Sequence, residues 1–168
     1  MKLRLANIDD LPVLKIIYKK IVDNMKKNNI DIWDDIYPID FLENDIKNRD
    51  LYVLVKDNCI IAALALCENH SGEKFVKWTC QDKKVMYINR LGVNVEHLRM
   101  GIGSLILNMV VEIARSHNIK YLRLFVNDMN QPAIQLYLKN GFKQVQGVYN
   151  EVIDDELILH ELGFERKI

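Results

Sequence analysis

The 168-residue chain has no charge imbalance: 23 Lys and Arg stand against 23 Asp and Glu. That balance argues against a general nucleic-acid or membrane-surface binder, while leaving room for a local basic patch. Long apolar runs are also missing. No stretch is long enough to cross a bilayer, and the opening Met-Lys-Leu-Arg-Leu-Ala-Asn-Ile-Asp-Asp10 has no signal-peptide apolar core, so a cytoplasmic protein is expected. Cys59, Cys67 and Cys80 are odd in number and lack metal-ligand spacing, so they read as reduced thiols. His70, His97, His117 and His160 show no pairing or metal spacing, and no metal is expected. There is no internal repeat, low-complexity tract or linker. One domain over 1–168 is expected, long enough for a proper core.

What is present is an alternation of strand and helix signals. An alternating run at 2–6 predicts a first strand. Asp9 and Asp10 then favour a helix N-terminus, with Pro12 tolerable in the first turn. Leu11, Leu14, Ile17, Tyr18, Ile21, Val22 and Met25 recur at helical spacing and predict one amphipathic helix to about Lys27, ended by Asn28-Asn29. An aromatic loop follows, Ile30 to Pro38. Asp40 and Glu43 have capping-box spacing for a short helix over 41–48. The strands at 51–56 and 59–66 around Asp57-Asn58 predict a hairpin. The polar segment 70–84 reads as a loop.

The stretch from Tyr87 to Ser104 organises the rest. Val85, Ile88, Leu91 and Val93 form a β-prone run with little face alternation, as in a strand covered on both sides. Gly101 and Gly103 precede a helix over 104–114. The first N–H groups of a helix have no partner within it and lie at the positive end of its dipole, so a glycine-marked helix start offers a phosphate site. A P-loop is excluded because no Gly-Lys-Ser/Thr follows, and a dinucleotide fingerprint needs a glycine where Ile106 stands. Taken alone, the glycines equally suit a tight strand-to-helix turn with no ligand. A strand at 121–126, a helix over 133–139 opened by Pro132 and stopped by Asn140-Gly141, and closing strands at 142–149 and 157–162 around an acidic loop complete a mixed α/β order.

Two motifs then narrow the reading. Asn130-x-x-Ala133-x-x-x-Tyr137-x-x-x-Gly141-Phe142, after a strand, resembles the C-terminal motif of the GNAT N-acetyltransferase superfamily. Arg90-Leu91-Gly92-Val93 followed by the Gly-x-Gly turn is similar to its acetyl-CoA motif, and the Trp33…Tyr37-Pro38 loop is similar to that of a bacterial subgroup. The resemblance implies a single-domain GNAT-like α/β fold, a mixed sheet of about six to seven strands with about four helices. It implies acetyl-CoA as co-substrate and a primary amine of a small molecule or peptide as acceptor. Backbone groups of Leu91 and Val93 would bond the pantetheine arm, in a gap where the central strand splays from the Tyr121 strand. The turn Arg99, Met100, Gly101, Ile102, Gly103 and Ser104 would hold the pyrophosphate, Asn130 would contact the cofactor, and Tyr137 would serve the thioester sulfur. The sequence departs from the family at Leu98, where a Gln or Arg is usual; a leucine donates nothing to phosphate, and Arg99 is the neighbouring charge.

Acyl transfer to an amine needs a neutral nucleophile, an oxyanion donor and a proton for the departing sulfur. Tyr137 suits the last role, since a phenol of reference pKa about 10 stays protonated; its alternative is a core-facing aromatic. The family's strand glutamate has no counterpart, because the segment reads Met86-Tyr87-Ile88-Asn89. Asn89 can position a water but is no base. Glu68, Asp34, Asp35 and Glu151 are carboxylates of flanking segments that read more simply as solvated, so no base is assigned and proton removal through ordered water is expected. Trp33, Tyr37 and Trp78 are candidates for apolar walls of an acceptor pocket; Trp33 and Tyr37 equally suit a cap on the core between the first two helices. The acidic loop, with Glu151, Asp154, Asp155 and Glu156, is a candidate patch for a cationic acceptor. The two closing strands are available to pair across a homodimer. The rival function is a non-catalytic acyl-CoA-binding or sensing module.

Overall fold

The structure, a computed structural model, describes residues 1–81, 83–153 and 157–168. It divides into two compact units, one of Met1–Leu66 with Arg90–Ile106, the other of Cys67–Asn89 with Leu107–Ile168.

In the first unit β1 (Lys2–Leu5) pairs antiparallel with β2 (Leu51–Lys56), which pairs with β3 (Cys59–Cys67). The hairpin turn is the expected one: Asp57 and Asn58 have φ of 49° and 62°, the left-handed pair that a two-residue turn between twisted strands requires. The second half of β5 (Val85–Val93) belongs here beside β3. Helix α1 (Leu11–Lys27) buries Leu14, Ile17, Tyr18, Ile21 and Val22, the predicted face. Helix α2 (Leu42–Lys47) starts without the expected capping box. A single 3₁₀ turn, Ile39–Phe41, leads into it instead, and Glu43 accepts from Lys47 at 2.6 Å, one turn along. Glu43 is thus engaged along the helix rather than back toward its start.

In the second unit the strand order is β5, β6 (Tyr121–Asn127), β8 (Ile158–Lys167), β7 (Lys143–Val152), β4 (Val76–Lys77). β5 runs parallel to β6 for four residue pairs, Val85↔Tyr121 to Ile88↔Leu124. The Phe125–Asn127 end of β6 lies outside that ladder and pairs with β8, down to Asn127↔Glu161. Helix α3 (Ile102–Ser116) is shared between the units, and α4 (Gln131–Lys139) belongs to the second. Among the described residues the sheet is mixed, with eight strands and four α-helices, the α/β architecture that the resemblance implied. The count exceeds the expected six to seven because the polar segment 70–84 contains β4.

That segment is anchored by buried groups that its polarity concealed. Trp78 is buried, donates its Nε1–H to the Glu73 carbonyl at 2.8 Å, and lies under the Arg123 guanidinium, 4.4 Å from its ring centroid. Arg123, only 1% exposed, also donates to the Cys80 carbonyl and sits 3.5 Å from Glu73 and 3.6 Å from Glu165. Trp78 is therefore a structural residue of this unit, not the pocket wall that its aromatic character suggested. The central strand is also less enclosed than expected: only Tyr87, Ile88 and Gly92 of β5 are buried, and its remaining residues are half-buried.

Candidate active site

In the first unit the β5-to-α3 segment takes left-handed conformations where the backbone must change direction. Arg90, within β5, has φ 53°; Arg99 and Gly101 have φ 60° and 76°. A side-chain-bearing residue with positive φ interrupts strand alternation as a bulge does. Arg90 is held there by three groups. Its Nε–H and Nη2–H donate to the Asp45 carboxylate on α2 at 2.7 Å each, and its carbonyl accepts from the Tyr18 hydroxyl at 2.6 Å. Tyr37 completes the set with a hydrogen bond to the guanidinium. Burial raises the Asp45 carboxyl above its ordinary value despite the guanidinium beside it.

Beyond the bulge, Gly92 lets α1 approach bare backbone: a Cβ there would lie 2.8 Å from Ile21 Cδ1 and 3.1 Å from Tyr18 Cε1. Leu91 and Val93 flank it, half-buried. Asn94 then accepts from the Glu96 N–H at 3.2 Å, and the chain passes the exposed Leu98, Arg99 and Met100. Gly101 accepts the first helical bond, from the Leu105 N–H at 3.0 Å, so the N–H groups of Ile102, Gly103 and Ser104 lie ahead of the helical ladder. A Cβ on Gly101 would meet nothing within 4 Å, so its value lies in its left-handed backbone. An open turn with backbone donors at a helix N-terminus suits a pyrophosphate.

Trp33 and Tyr37 lie in the same unit. Their ring centroids are 6.2 Å apart, Trp33 is 6.0 Å from Tyr18, and Tyr37 is 5.3 Å from Phe41. Both are half-buried, joined by packing to α1 and by Arg90 to the central strand. Asp34, a candidate base, accepts from the Ile36 and Tyr37 N–H groups at 2.7 Å each and so shapes the loop; Asp35 is exposed.

In the second unit the ionisable groups dominate. Tyr137, on α4, is 7% exposed and packs edge-on to Phe142 at 5.8 Å. Burial, with the Glu161 charge, pushes its phenol well above the ordinary value, so it stays protonated at every working pH. Asn130 caps α4, its side-chain oxygen accepting from the Ala133 N–H at 3.3 Å. Asn89 is half-buried at the end of the second-unit part of β5. Of the remaining candidate bases, Glu68 is exposed, whereas burial raises the half-buried Glu151 above its ordinary value. Asp154, Asp155 and Glu156 lie outside the described residues.

Residues 18–142 match the Acetyltransferase (GNAT) family. The chain belongs to that family. It is an N-acetyltransferase with acetyl-CoA as its co-substrate. Among solved structures, a GNAT-family acetyltransferase from Streptococcus agalactiae 2603 is similar at TM-score 0.84 and 18% identity, over 99% of this chain and 95% of that one. The ribosomal-protein-alanine N-acetyltransferase of Brucella melitensis is similar at TM-score 0.70 and 22% identity over 100% of both chains. Salmonella typhimurium yncA, whose structure holds its cofactor acetyl-CoA, is similar at TM-score 0.69 and 16% identity, over 99% and 93%. No curated protein matches. Among the described residues, no helix is long and apolar enough to cross a membrane.

Two features of this acetyltransferase escaped the sequence reading. One is the Asp45–Arg90 pair, a contact between α2 and β5 that no local spacing encodes. The other is Glu161, on β8 opposite Asn127, with its carboxyl pushed up to about 7 mainly by burial, and further by the charges of Glu151 and Asp128. Only an acidic residue at an otherwise half-buried strand position signalled it.

Proposed function

We propose that this acetyltransferase transfers the acetyl group directly to a primary amine of a small molecule or peptide, with no covalent enzyme intermediate. Acetyl-CoA, when bound, supplies an activated acyl group as a thioester. The chain's own residues divide the remaining work. Backbone groups of Leu91 and Val93 bind the pantetheine amides, and the turn from Arg99 to Ser104 binds the pyrophosphate. Leu98 offers no donor, so anion binding rests on backbone N–H groups and Arg99. Asn130 presents its carboxamide to the cofactor while its oxygen caps α4. Trp33 and Tyr37 offer apolar walls for an acceptor, and Asn89 offers it a polar group.

The observation that carries the reading is Tyr137: a buried phenol, on the helix that bears the family's C-terminal motif, whose proton is held tightly until a strong base appears. Kept neutral, Tyr137 donates its Oη–H as a hydrogen bond to the departing sulfur and stabilises the thiolate as it forms, while solvent supplies the final proton. The test is thermal stability with acetyl-CoA and with CoA, followed by free-thiol release across a panel of primary amines. At about 100 times the dissociation constant, binding adds about 2.7 kcal/mol, a shift of several degrees for a chain of this size. A shift with thiol release on an amine supports the reading. No shift up to millimolar ligand overturns it.

A further inference from the structure

We propose that Glu161 is the proton acceptor for the incoming amine: its carboxylate, presented on β8 by Asn127, takes a proton from the acceptor's ammonium group. The inference rests on the direct-transfer reading above and supplies the base which that reading lacks.

Glu161 stands directly across from Asn127 on β6 and from Tyr149 on β7, so the three side chains share one face of the second unit's sheet. Asn127 is 3% exposed, and both ends of its carboxamide are engaged. Its Oδ1 accepts from the Met129 N–H at 3.0 Å and its Nδ2 donates to Glu161 Oε1 at 3.4 Å. The backbone carbonyl of Asn127 accepts from the Asn130 N–H at 2.9 Å, and Asn130 caps the helix carrying Tyr137. One short turn thus fixes both the Glu161 carboxylate and the start of the Tyr137 helix. The phenol is buried and feels the Glu161 charge, so the carboxylate lies in its neighbourhood.

Among the described residues, the charges that raise Glu161 are of its own sign. Asp128 from the turn after β6 and Glu151 from β7 act on it, with Tyr149 and Tyr137 as the neutral neighbours; His160, next in the chain, is turned to Asn150 at 2.8 Å. Among the described residues no Lys or Arg forms an ion pair with Glu161. A half-buried carboxylate without a cation is unfavourable unless it is protonated or a cation arrives. A substrate ammonium is that cation. On arrival it finds a base whose own affinity for protons is already raised by burial and like charges. The step is a simple proton transfer: an N–H bond of the ammonium breaks, an O–H bond forms on Glu161, and the amine's lone pair is freed. Glu161 then returns its proton to solvent.

The experiment has two readouts on the full chain. In protein carrying ¹³C-carboxyl glutamate, the resonance absent from Glu161→Gln is followed against pH. A midpoint near neutrality is expected, and a midpoint in the ordinary glutamate range overturns the proposal. Initial rates are then measured against pH with acetyl-CoA and a panel of aliphatic primary amines. Glu161→Gln is expected to lower kcat/KM by about 10²-fold or more and to lose the acidic limb that coincides with the resonance midpoint. An unchanged CoA thermal shift in the variant shows that it folds and binds. Turnover with the wild-type pH profile in Glu161→Gln overturns the base role alone. A CoA shift without turnover on any amine overturns the acetyltransfer reading and the base role together.

Discussion

The proposed function gives the two units different kinds of chemistry. In the first, the proposed cofactor contacts are backbone: Leu91, Val93 and the turn from Arg99 to Ser104, shaped by left-handed residues and by Gly92 lying against Tyr18 and Ile21. In the second, the proposed working groups are ionisable side chains, Tyr137 and Glu161, with protonation shifted by burial. A pyrophosphate needs many N–H donors in fixed directions, which backbone supplies without titrating. Proton transfer needs groups that can titrate, and for these burial sets the pKa. The comparison teaches that binding and proton chemistry are separable by mutation in this chain.

The largest break is expected from Asp45→Ala. It leaves the Arg90 guanidinium, whose side chain is 11% exposed, without its bidentate partner. Loss of one side of a buried pair costs about 3–5 kcal/mol, measurable by urea unfolding. In a chain that remains folded, acetyl-CoA affinity should weaken through the loosened bulge, while any titration assigned to Glu161 stays where it is.

Next comes the pH dependence of stability. In the folded chain Glu161 titrates at about 7, against 4.5 for the ordinary group. Between those values the unfolded chain loses its proton first, so the folded state binds more protons and stability falls as pH rises. This contribution is complete above about pH 7 and amounts to at most about 3 kcal/mol. Glu161→Gln should remove that decline, making the variant relatively more stable at pH 8 than at pH 4.5 when compared with the parent chain. Equal pH slopes would mean that Glu161 titrates in the ordinary glutamate range.

The smallest effect sharpens the first side of the comparison. Gly101→Ala places a side chain at φ 76°, where no neighbour obstructs it but the conformation is strained by about 1 kcal/mol. Acetyl-CoA binding, read by calorimetry, should weaken about fivefold or less, with no change in the pH profile of turnover.

How legible these regions were follows from the same division. Helix α1, the Asp57-Asn58 hairpin and the strand–glycine–helix turn are encoded by residues close in sequence, so periodicity and turn chemistry revealed them. The motif resemblance supplied Tyr137 and Asn130. Glu161 acquires its character from burial and from Glu151 and Asp128, and its orientation from Asn127, 34 positions earlier, all through a β8 register that cannot be read before the strands are paired. Arg90 lay within the family motif, but its partner Asp45 lies 45 positions away on a short helix, and no local spacing joins the two. Trp78 and Arg123 were hidden for a related reason: a polar stretch reads as a loop until a buried guanidinium is found beneath it.

The central claim, that backbone binds and side chains move protons, is tested most directly by Tyr137→Phe. Its thermal shift with CoA and its thiol-release rate at saturating acetyl-CoA are compared with the parent chain, using an amine from the screen. The account predicts an unchanged shift and a turnover lowered by about 10²-fold or more. A lost shift, or a turnover that does not change, would contradict it.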